Sequence, residues 1–338
     1  MEILNMNDLT VGDAVMCQLM VFAASRQLTK TNKPYLAAKL GNKTGTIEAR
    51  LWTMPPGFVV PKVGSVYTVN AIVNEFANVK QLNIATMTPV ETYDEADFTI
   101  EVPNRVSMAE FDKMVVGIRE ELTKDQSVLL FDVFDRILEI YSNTLLTATA
   151  ACGVHHAGVG GWAKHTAEVV YFSEAIYSAM PNAAKEYIRR GLLFLGAFLH
   201  DIGKLKSYAF DTGVPVMTDS GKLLDHIVEG ICIVHSAMHE VYAKASPEKA
   251  AIYEQQMRDV DLLEHIIASH HTELEWGSPV NPVTLEAVII CHADQLSAST
   301  DTITTALKEA KETTESWTQK IFTQHNRQFT TSGVNDLG

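Results

Sequence analysis

The chain of 338 residues carries 27 Lys and Arg against 41 Asp and Glu, a net charge of −14, and 46% of it is hydrophobic. At about 100 to 200 residues per domain this length implies two domains with cores of their own and excludes a small scaffold that depends on staples. The longest strongly apolar run, Gly191 to Leu199, falls short of the roughly 20 residues of a spanning helix, and Cys17, Cys152, Cys232 and Cys291 form no C-x-x-C pair, which excludes a disulfide framework or a zinc ribbon.

Met1 to Thr10 has no basic start followed by an apolar stretch, so no secretory signal is read there and a cytoplasmic protein is expected. Residues 1–90 then read as five short strands. Ala14 to Ala24 is a β-compatible apolar run, Thr31 to Pro34 a turn, and Tyr35 to Leu40 a second strand. Gly41 to Gly45 is a hairpin connection, and Thr46 to Trp52 alternates, with Ile47, Ala49 and Leu51 on one face and Glu48, Arg50 and Trp52 on the other. Ser65 to Phe76 and Val79 to Met87 complete the set. Five strands in this length suit a small Greek-key barrel of the OB type; on pattern alone an SH3-like module fits equally well.

Residues 91–106, acidic and irregular with Pro103 near their end, read as a linker. The second domain, 107–303, reads as all-helical. Ser107 and Glu110 form a capping box, and apolar residues at helical spacing follow through Val115, Ile118 and Leu122 and again from Val128 to Leu146. Further helices are predicted at Gly161 to Met180, Ala183 to Ile202, Asp225 to Ala243 and Arg258 to His271. Another starts at Asn281, with Pro282 at its first position, and runs through Asp294. The polar extension 304–338 is predicted helical from Ala306 to Phe329. The expected architecture is therefore multidomain: an N-terminal OB-like β-barrel followed by an all-α domain.

Charge and histidine divide along the same line. Residues 1–90 hold eight Lys and Arg against five Asp and Glu, a net of +3, so the acidic excess is all downstream. Any contact with a polyanion is then confined to a local cationic face or mediated by metal ions. Eleven of the twelve histidines fall between His155 and His292. The sharpest local feature is His200-Asp201-Ile202-Gly203-Lys204, at the end of the most apolar helix. An isolated His-Asp dipeptide reads as a structural hydrogen bond, but here His165 lies on the preceding helix, His226 on the next, His270 at the end of the one after and Asp294 in the last. Five successive helices thus contribute in the order H, HD, H, H, D, and imidazole with carboxylate is the ligand mix for Mn, Fe, Co, Ni or Zn. His235 and His239, four apart, lack an H-E-x-x-H motif and read as surface or core-satisfied residues. His265, His292 and His325 receive the same ordinary reading, and Cys291 reads as a small buried hydrophobe.

This ligand order resembles that of the HD-domain metallohydrolases. Residues 153–165 (GVHHAGVGGWAKH), 223–227 (LLDHI), 269–279 (SHHTELEWGSP) and 292–298 (HADQLSA) narrow the resemblance to the YhaM-type exoribonucleases, in which an OB-fold precedes the HD domain. Residues 33–36 and 40–52 are similar to that family's OB region, and 317–329 to its C-terminal end. The resemblance implies two divalent metal ions, Mn2+ first, with Co2+, Fe2+, Ni2+ and Mg2+ as alternatives. His165, His200, Asp201 and Asp294 would hold one ion, and Asp201, His226 and His270 the other, with Asp201 bridging and Lys204 neutralising a phosphate oxygen. His155 and His156 would touch substrate phosphate or anchor their loop; His271 would meet a further ion or the substrate, or orient its neighbours. The sequence departs from the family where Asp225 and Thr272 stand in place of the usual glycine. In the barrel, Tyr35, Trp52 and Phe76 are candidates to stack bases, and Lys33, Lys43, Arg50 and Lys80 to track phosphates.

The activity so implied is metal-dependent 3′-to-5′ hydrolysis of single-stranded RNA, with single-stranded DNA as an additional substrate, to nucleoside monophosphates. No membrane partner is expected, and a homo-oligomer is left open. The alternatives are a phosphohydrolase of free nucleotides, which the acidic second half suits, a di-iron oxygenase built on the same ligand set, and a noncatalytic single-strand binder.

Overall fold

The computed structural model describes residues 3–76, 79–102, 105–151, 157–211, 214–312 and 315–331. The chain divides into two compact units: Met1–Glu101 with Phe210–Val216, and Val102–Ala209 with Met217–Gly338.

In the first unit β1 (Ala14–Leu28), β2 (Pro34–Asn42), β3 (Gly45–Leu51), β4 (Val66–Phe76) and β5 (Val79–Val90) close a barrel in the order β1-β2-β3-β5-β4. The parallel β3–β5 pairing, Glu48 to Gln81 through Arg50 to Asn83, skips β4. That crossover is Greek-key and decides for the OB arrangement. β1 serves both halves of the barrel, pairing with β4 through Ala14–Met20 and with β2 through Met20–Leu28, with an irregularity between Val21 and Ala23 where it bends. The alternation expected of β3 holds, since Ile47, Ala49 and Leu51 are buried with Leu19, Val21, Leu36, Leu40, Val69 and Leu82. Gly41 is dictated by crowding in the β2–β3 turn, because a Cβ there would lie 2.4 Å from the Gly45 carbonyl oxygen.

Two local expectations change in this unit. The segment predicted as a linker contributes to the fold: Phe98 is buried with Met20 and Val66, and Lys43 is paired with Asp97 at 3.0 Å. Val214 joins the same small cluster from a hairpin, β6 (Tyr208–Asp211) and β7 (Val214–Met217), that the sequence did not announce. Strands of four residues carry too little pattern to be read.

The second unit is built on α1 (Met108–Lys124), α2 (Val128–Tyr141), α3 (Gly161–Ala179), α4 (Asn182–Lys185), α5 (Arg190–Leu199), α6 (Lys204–Ser207), α7 (Asp219–Ala243), α8 (Pro247–Ser269) and α9 (Leu285–Glu312). The predicted capping box starts α1, with Ser107 and Glu110 each accepting from the other's backbone N–H. Residues 191 to 199 of α5 are all buried, which is why that helix is apolar on every side. Phe198 lies 5.2–5.7 Å from the rings of Phe111, Phe134 and Trp162. Burying each such aromatic contributes about 1.5–3 kcal/mol, so α5 is the axis about which the other helices are fixed.

Helix boundaries differ where tertiary bonds outbid local pattern. The helix predicted over 183–202 is broken at Arg189, which is extended. Its N–H donates to Glu286 at 2.9 Å, and its guanidinium takes both carboxylate oxygens of Asp259, at 2.5 and 2.9 Å. The last long helix begins at Leu285, with the Thr284 hydroxyl accepting from the Ala287 N–H, and not at Pro282; it also runs well past Asp294. Beyond Glu312 the predicted helix gives way to a fold-back joined by bridges Trp317–Thr330 and Ile321–Arg327. Thr318 is the cause: its N–H and hydroxyl bond the backbone of Phe329 instead of a helical neighbour. Among the described residues no helix is long and apolar enough to cross a membrane.

Candidate metal centre

Five helices turn six side chains onto one point. His165 sits in the second turn of α3, His200 and Asp201 follow α5, His226 lies in α7, His270 ends α8 and Asp294 is in α9. Asp201, 1% exposed, is the hub. Its Oδ2 lies 2.7 Å from Lys204 Nζ, 3.2 Å from His165 Nε2 and 3.3 Å from His200 Nε2, while its Oδ1 faces His226 Nε2 at 3.4 Å and His270 Nε2 at 3.5 Å. Asp294 Oδ1 adds a second carboxylate 3.1 Å from His165 Nε2. One carboxylate therefore addresses two separate pairs of imidazoles through two different oxygens.

The rings are aimed from behind. Nδ1 of His200 bonds the Ala197 carbonyl at 2.8 Å and Nδ1 of His270 the Ile267 carbonyl at 2.7 Å, each one turn back on its own helix. Nδ1 of His226 bonds Asp225 at 2.5 Å. Nδ1 of His165 meets Ser297 Oγ at 3.0 Å; the Ser297 proton is given to Glu168, so the imidazole donates to the hydroxyl oxygen. For His200, His226 and His270 an acceptor beside Nδ1 places the N–H there, which leaves Nε2 with its lone pair toward the centre, whereas His165, between two carboxylates, carries a proton on Nε2 as well until a cation takes its place. This is how histidine is set up to ligate.

The electrostatics agree. Burial alone would depress His165, yet its bonds to Asp201 and Asp294 raise it to about 9, so the position between those carboxylates attracts positive charge. Burial opposes ionisation of Asp201, but Lys204, His200 and His165 hold it well below the usual carboxylate range; Asp294 is likewise held low, chiefly by His165. Lys204, 7% exposed, is raised despite its burial because Asp201 stabilises the ammonium. His226 and His270 are lowered by burial and so stay neutral. Asp201 Oδ1, His226 Nε2 and His270 Nε2 are buried without a hydrogen-bond partner. Leaving three such atoms uncompensated is costly, and a cation among them would satisfy all three.

Residues 162–299 match the HD domain family. They are an HD domain. Over 94% of its length the chain is 29% identical to the 3′-5′ exoribonuclease YhaM of Shouchella clausii (strain KSM-K16), covering 93% of that protein. Among solved structures, the second OB-fold domain of replication protein A from Methanococcus maripaludis aligns with 26% of this chain and 94% of its own, at 18% identity and a TM-score of 0.22. The OB character of the barrel rests on its own strand order.

The backbone of the HD domain accounts for both departures noted in the sequence. Asp225 interrupts α7 with φ 60° and ψ 167°, a region that is almost exclusively glycine's, and Thr272 has φ 64°. Each non-glycine residue compensates with side-chain bonds: Asp225 takes the N–H and Nδ1 of His226, and Thr272 Oγ1 accepts from Gln295 at 3.1 Å. Gly203, inside the HDIGK motif, is fixed by close approach, since a Cβ there would fall 1.9 Å from the His226 carbonyl oxygen. That contact brings the α6 turn with Lys204 against the start of the His226 helix.

Other candidates fall in different places. His271 joins the group formed by His226 and His270, its ring centroid 4.2 Å from that of His270. His155 and His156 lie outside the described residues. His235 and His239 sit on the outer face of α7 with their Nε2 atoms 3.0 Å apart, and His265 Nε2 accepts the Val283 N–H. Cys291 is buried, and its thiol is pushed up to about 12 by desolvation. In the barrel, the Tyr35 and Trp52 rings lie 4.8 Å apart at one end of the β2–β3 hairpin, with Trp52 45% exposed, and Lys33 is exposed just before β2. Arg50 is on the same outer face and is paired with Glu48 at 2.9 Å. Lys43 is at the far end of the hairpin, tied to Asp97.

A cavity of about 570 Å³ opens beside the centre, lined by Lys204, His226, His271 and Asp294 and also by Thr323, Gln324, His325 and Arg327. The sequence analysis gave His325 an ordinary reading and passed over the other three, because nothing in a polar segment says which cavity it will border.

Proposed function

We propose that this protein is a divalent-metal-dependent 3′-to-5′ exonuclease that removes nucleoside monophosphates from single-stranded RNA and also accepts single-stranded DNA. The observation that carries the reading is Asp201, whose two oxygens face two separate pairs of imidazole Nε2 atoms. The likeness to an exoribonuclease along nearly the whole chain supports the choice of polymer and polarity. His165, His200, Asp201 and Asp294 would hold one ion, and Asp201, His226 and His270 a second; the donor set suits Mn, Fe, Co, Ni or Zn, and Mn2+ is put first because the family resemblance implies it.

Bound divalent ions supply Lewis acidity at the scissile phosphate and make water a nucleophile near neutral pH. The chain's own residues do the rest. The Nδ1 anchors on Ala197, Ile267, Asp225 and Ser297 hold the four imidazoles with Nε2 turned to the centre. Lys204, kept protonated by Asp201, lies on the cavity wall where it can offset charge developing on a phosphate oxygen. In the barrel, Tyr35 and Trp52 offer a stacking platform, with Lys33 and Arg50 alongside for the phosphate chain.

The test is a gel assay with 5′-labelled single-stranded RNA and DNA of one sequence, Mn2+, and wild-type or Asp201→Ala protein. The expected result is a ladder shortening from the 3′ end that drops by about 10³-fold or more in the variant, beyond the 10- to 100-fold typical when only a residue behind a ligand is changed. An intact strand with wild-type protein across several metals would refute the reading.

A further inference from the structure

Beyond α9 the chain folds back on itself. The N–H of Thr318 donates to the Phe329 carbonyl at 2.8 Å, that of Ile321 to Arg327 at 3.0 Å and that of Thr331 to Ser316 at 2.9 Å, closing a turn at His325 and Asn326. Gln324 Nε2 donates to Ser299 Oγ at 3.0 Å, which ties the turn to the helix that carries Asp294. Thr323 to His325 and Arg327 share the wall of the cavity with Lys204 and Asp294. His325 and Asn326 hold φ values of 54° and 56°, each costing about 1 kcal/mol relative to an ordinary backbone. Strain of this kind is retained where the geometry it enforces is used.

Arg327 is the residue this turn presents. Its Nε is held by the Gln324 carbonyl at 3.1 Å, and among the described residues no carboxylate pairs with its guanidinium. Arg119, Arg136, Arg189 and Arg190, in the same unit, lie within 3.4 Å of a carboxylate, and Arg258, which no carboxylate among the described residues pairs with either, is not on the wall of this cavity. In a chain of net charge −14, an arginine left unneutralised on the wall of the candidate catalytic cavity is set for an anionic ligand. Phe322, 84% exposed, precedes the cavity-lining Thr323 and offers a bare aromatic face.

We propose that this C-terminal turn is a nucleotide subsite, in which Arg327 binds the phosphate on the retained strand next to the scissile bond and Phe322 stacks on its base. The proposal rests on the exonuclease reading: an enzyme that removes one terminal nucleotide at a time must grip the strand that stays behind. A guanidinium matches phosphate geometry with paired donors, and stacking on an aromatic ring tolerates any base.

The experiment has two arms. Fluorescence anisotropy with a 5′-fluorescein single-stranded RNA ten-mer, in EDTA to prevent cleavage, is followed across a salt series for wild type, Arg327→Lys, Arg327→Ala and Phe322→Ala. Steady-state shortening of the same oligomer in Mn2+ gives KM and kcat. Arg327→Ala should weaken binding about tenfold and reduce the slope of log affinity against log salt by about 0.7, the loss of one phosphate contact on a single strand. Arg327→Lys should recover most of that slope. Phe322→Ala should weaken binding about five- to tenfold with its slope intact. In turnover, both alanine variants should raise KM far more than they lower kcat. A wild-type enzyme that shortens RNA while Arg327→Ala keeps its affinity within twofold and its slope unchanged would overturn the subsite alone. A wild-type enzyme that leaves RNA intact would overturn the exonuclease reading, and the subsite with it.

Discussion

The two units present their candidate residues in opposite ways. In the HD domain six side chains from five helices converge on one buried carboxylate, and each ring is aimed by a bond from behind. In the barrel Tyr35, Arg50 and Trp52 stand on the outer face of one hairpin, each with its own neighbour, Trp52 exposed and the other two half-buried. A buried cluster behaves as one object, because removing a member leaves the others unpaired in a low-dielectric interior. An exposed face behaves as a sum of weak, screened contacts. Changes to members of the buried cluster or to the backbone that seats them should therefore be near all-or-none, and changes to the groups behind them or on the barrel face graded.

The hardest test of that contrast is Gly203→Ala. The added methyl meets the backbone of α7 at His226 and Gly230, which cannot retreat without moving His226. A loss of about 3 kcal/mol in stability is expected, with activity falling in parallel; thermal melts with and without Mn2+ would show it. A variant that melts and cleaves as wild type would mean that the two elements can separate freely. Ser297→Ala removes the oxygen that receives the His165 N–H together with the hydroxyl given to Glu168, and should weaken metal affinity about tenfold without unfolding the chain. Metal titration by calorimetry measures this, and unchanged affinity would show that His165 needs no such anchor.

Graded behaviour is expected on the barrel. Trp52→Ala leaves Tyr35 as a remaining platform, so the oligonucleotide KM should rise about three- to tenfold with kcat held within twofold. A hundredfold fall in kcat would join the barrel to the chemistry and end the contrast. The smallest effect sharpens it from the other side. Thr272→Gly relieves a β-branched residue at φ 64° but loses the bond from Gln295 and adds chain entropy to the unfolded state. The balance should be a stabilisation of about 1 kcal/mol, read as a rise in melting temperature; a fall would mean that the Gln295 bond outweighs the strain.

Much of this was legible in one dimension because it repeats in one dimension. Alternation along β3 and the Gly-flanked turn before it marked the barrel, and α5 announced itself by being apolar on every side. The order of His165, His200-Asp201, His226, His270 and Asp294 marked the centre, with an adjacent pair at the end of one helix and a single residue from each of four others. What escaped lay in bonds between residues distant in sequence. Arg189 broke a predicted helix to reach Glu286 and Asp259, and Thr318 turned a predicted helix into a fold-back.

The sequence by itself determined which residue types reach the centre, which helices carry them and that a small β-barrel precedes them. Only the tertiary structure decided which oxygen of Asp201 faces which imidazole, which ring nitrogen keeps its proton, why Asp225 and Thr272 stand at backbone angles suited to glycine, and that Arg327 borders the same cavity as Lys204. The reason is physical. Periodicity and composition are local properties that a chain carries even when unfolded, whereas the direction of a lone pair, the partner of a charge and the wall of a cavity exist only once distant segments have excluded water from between them.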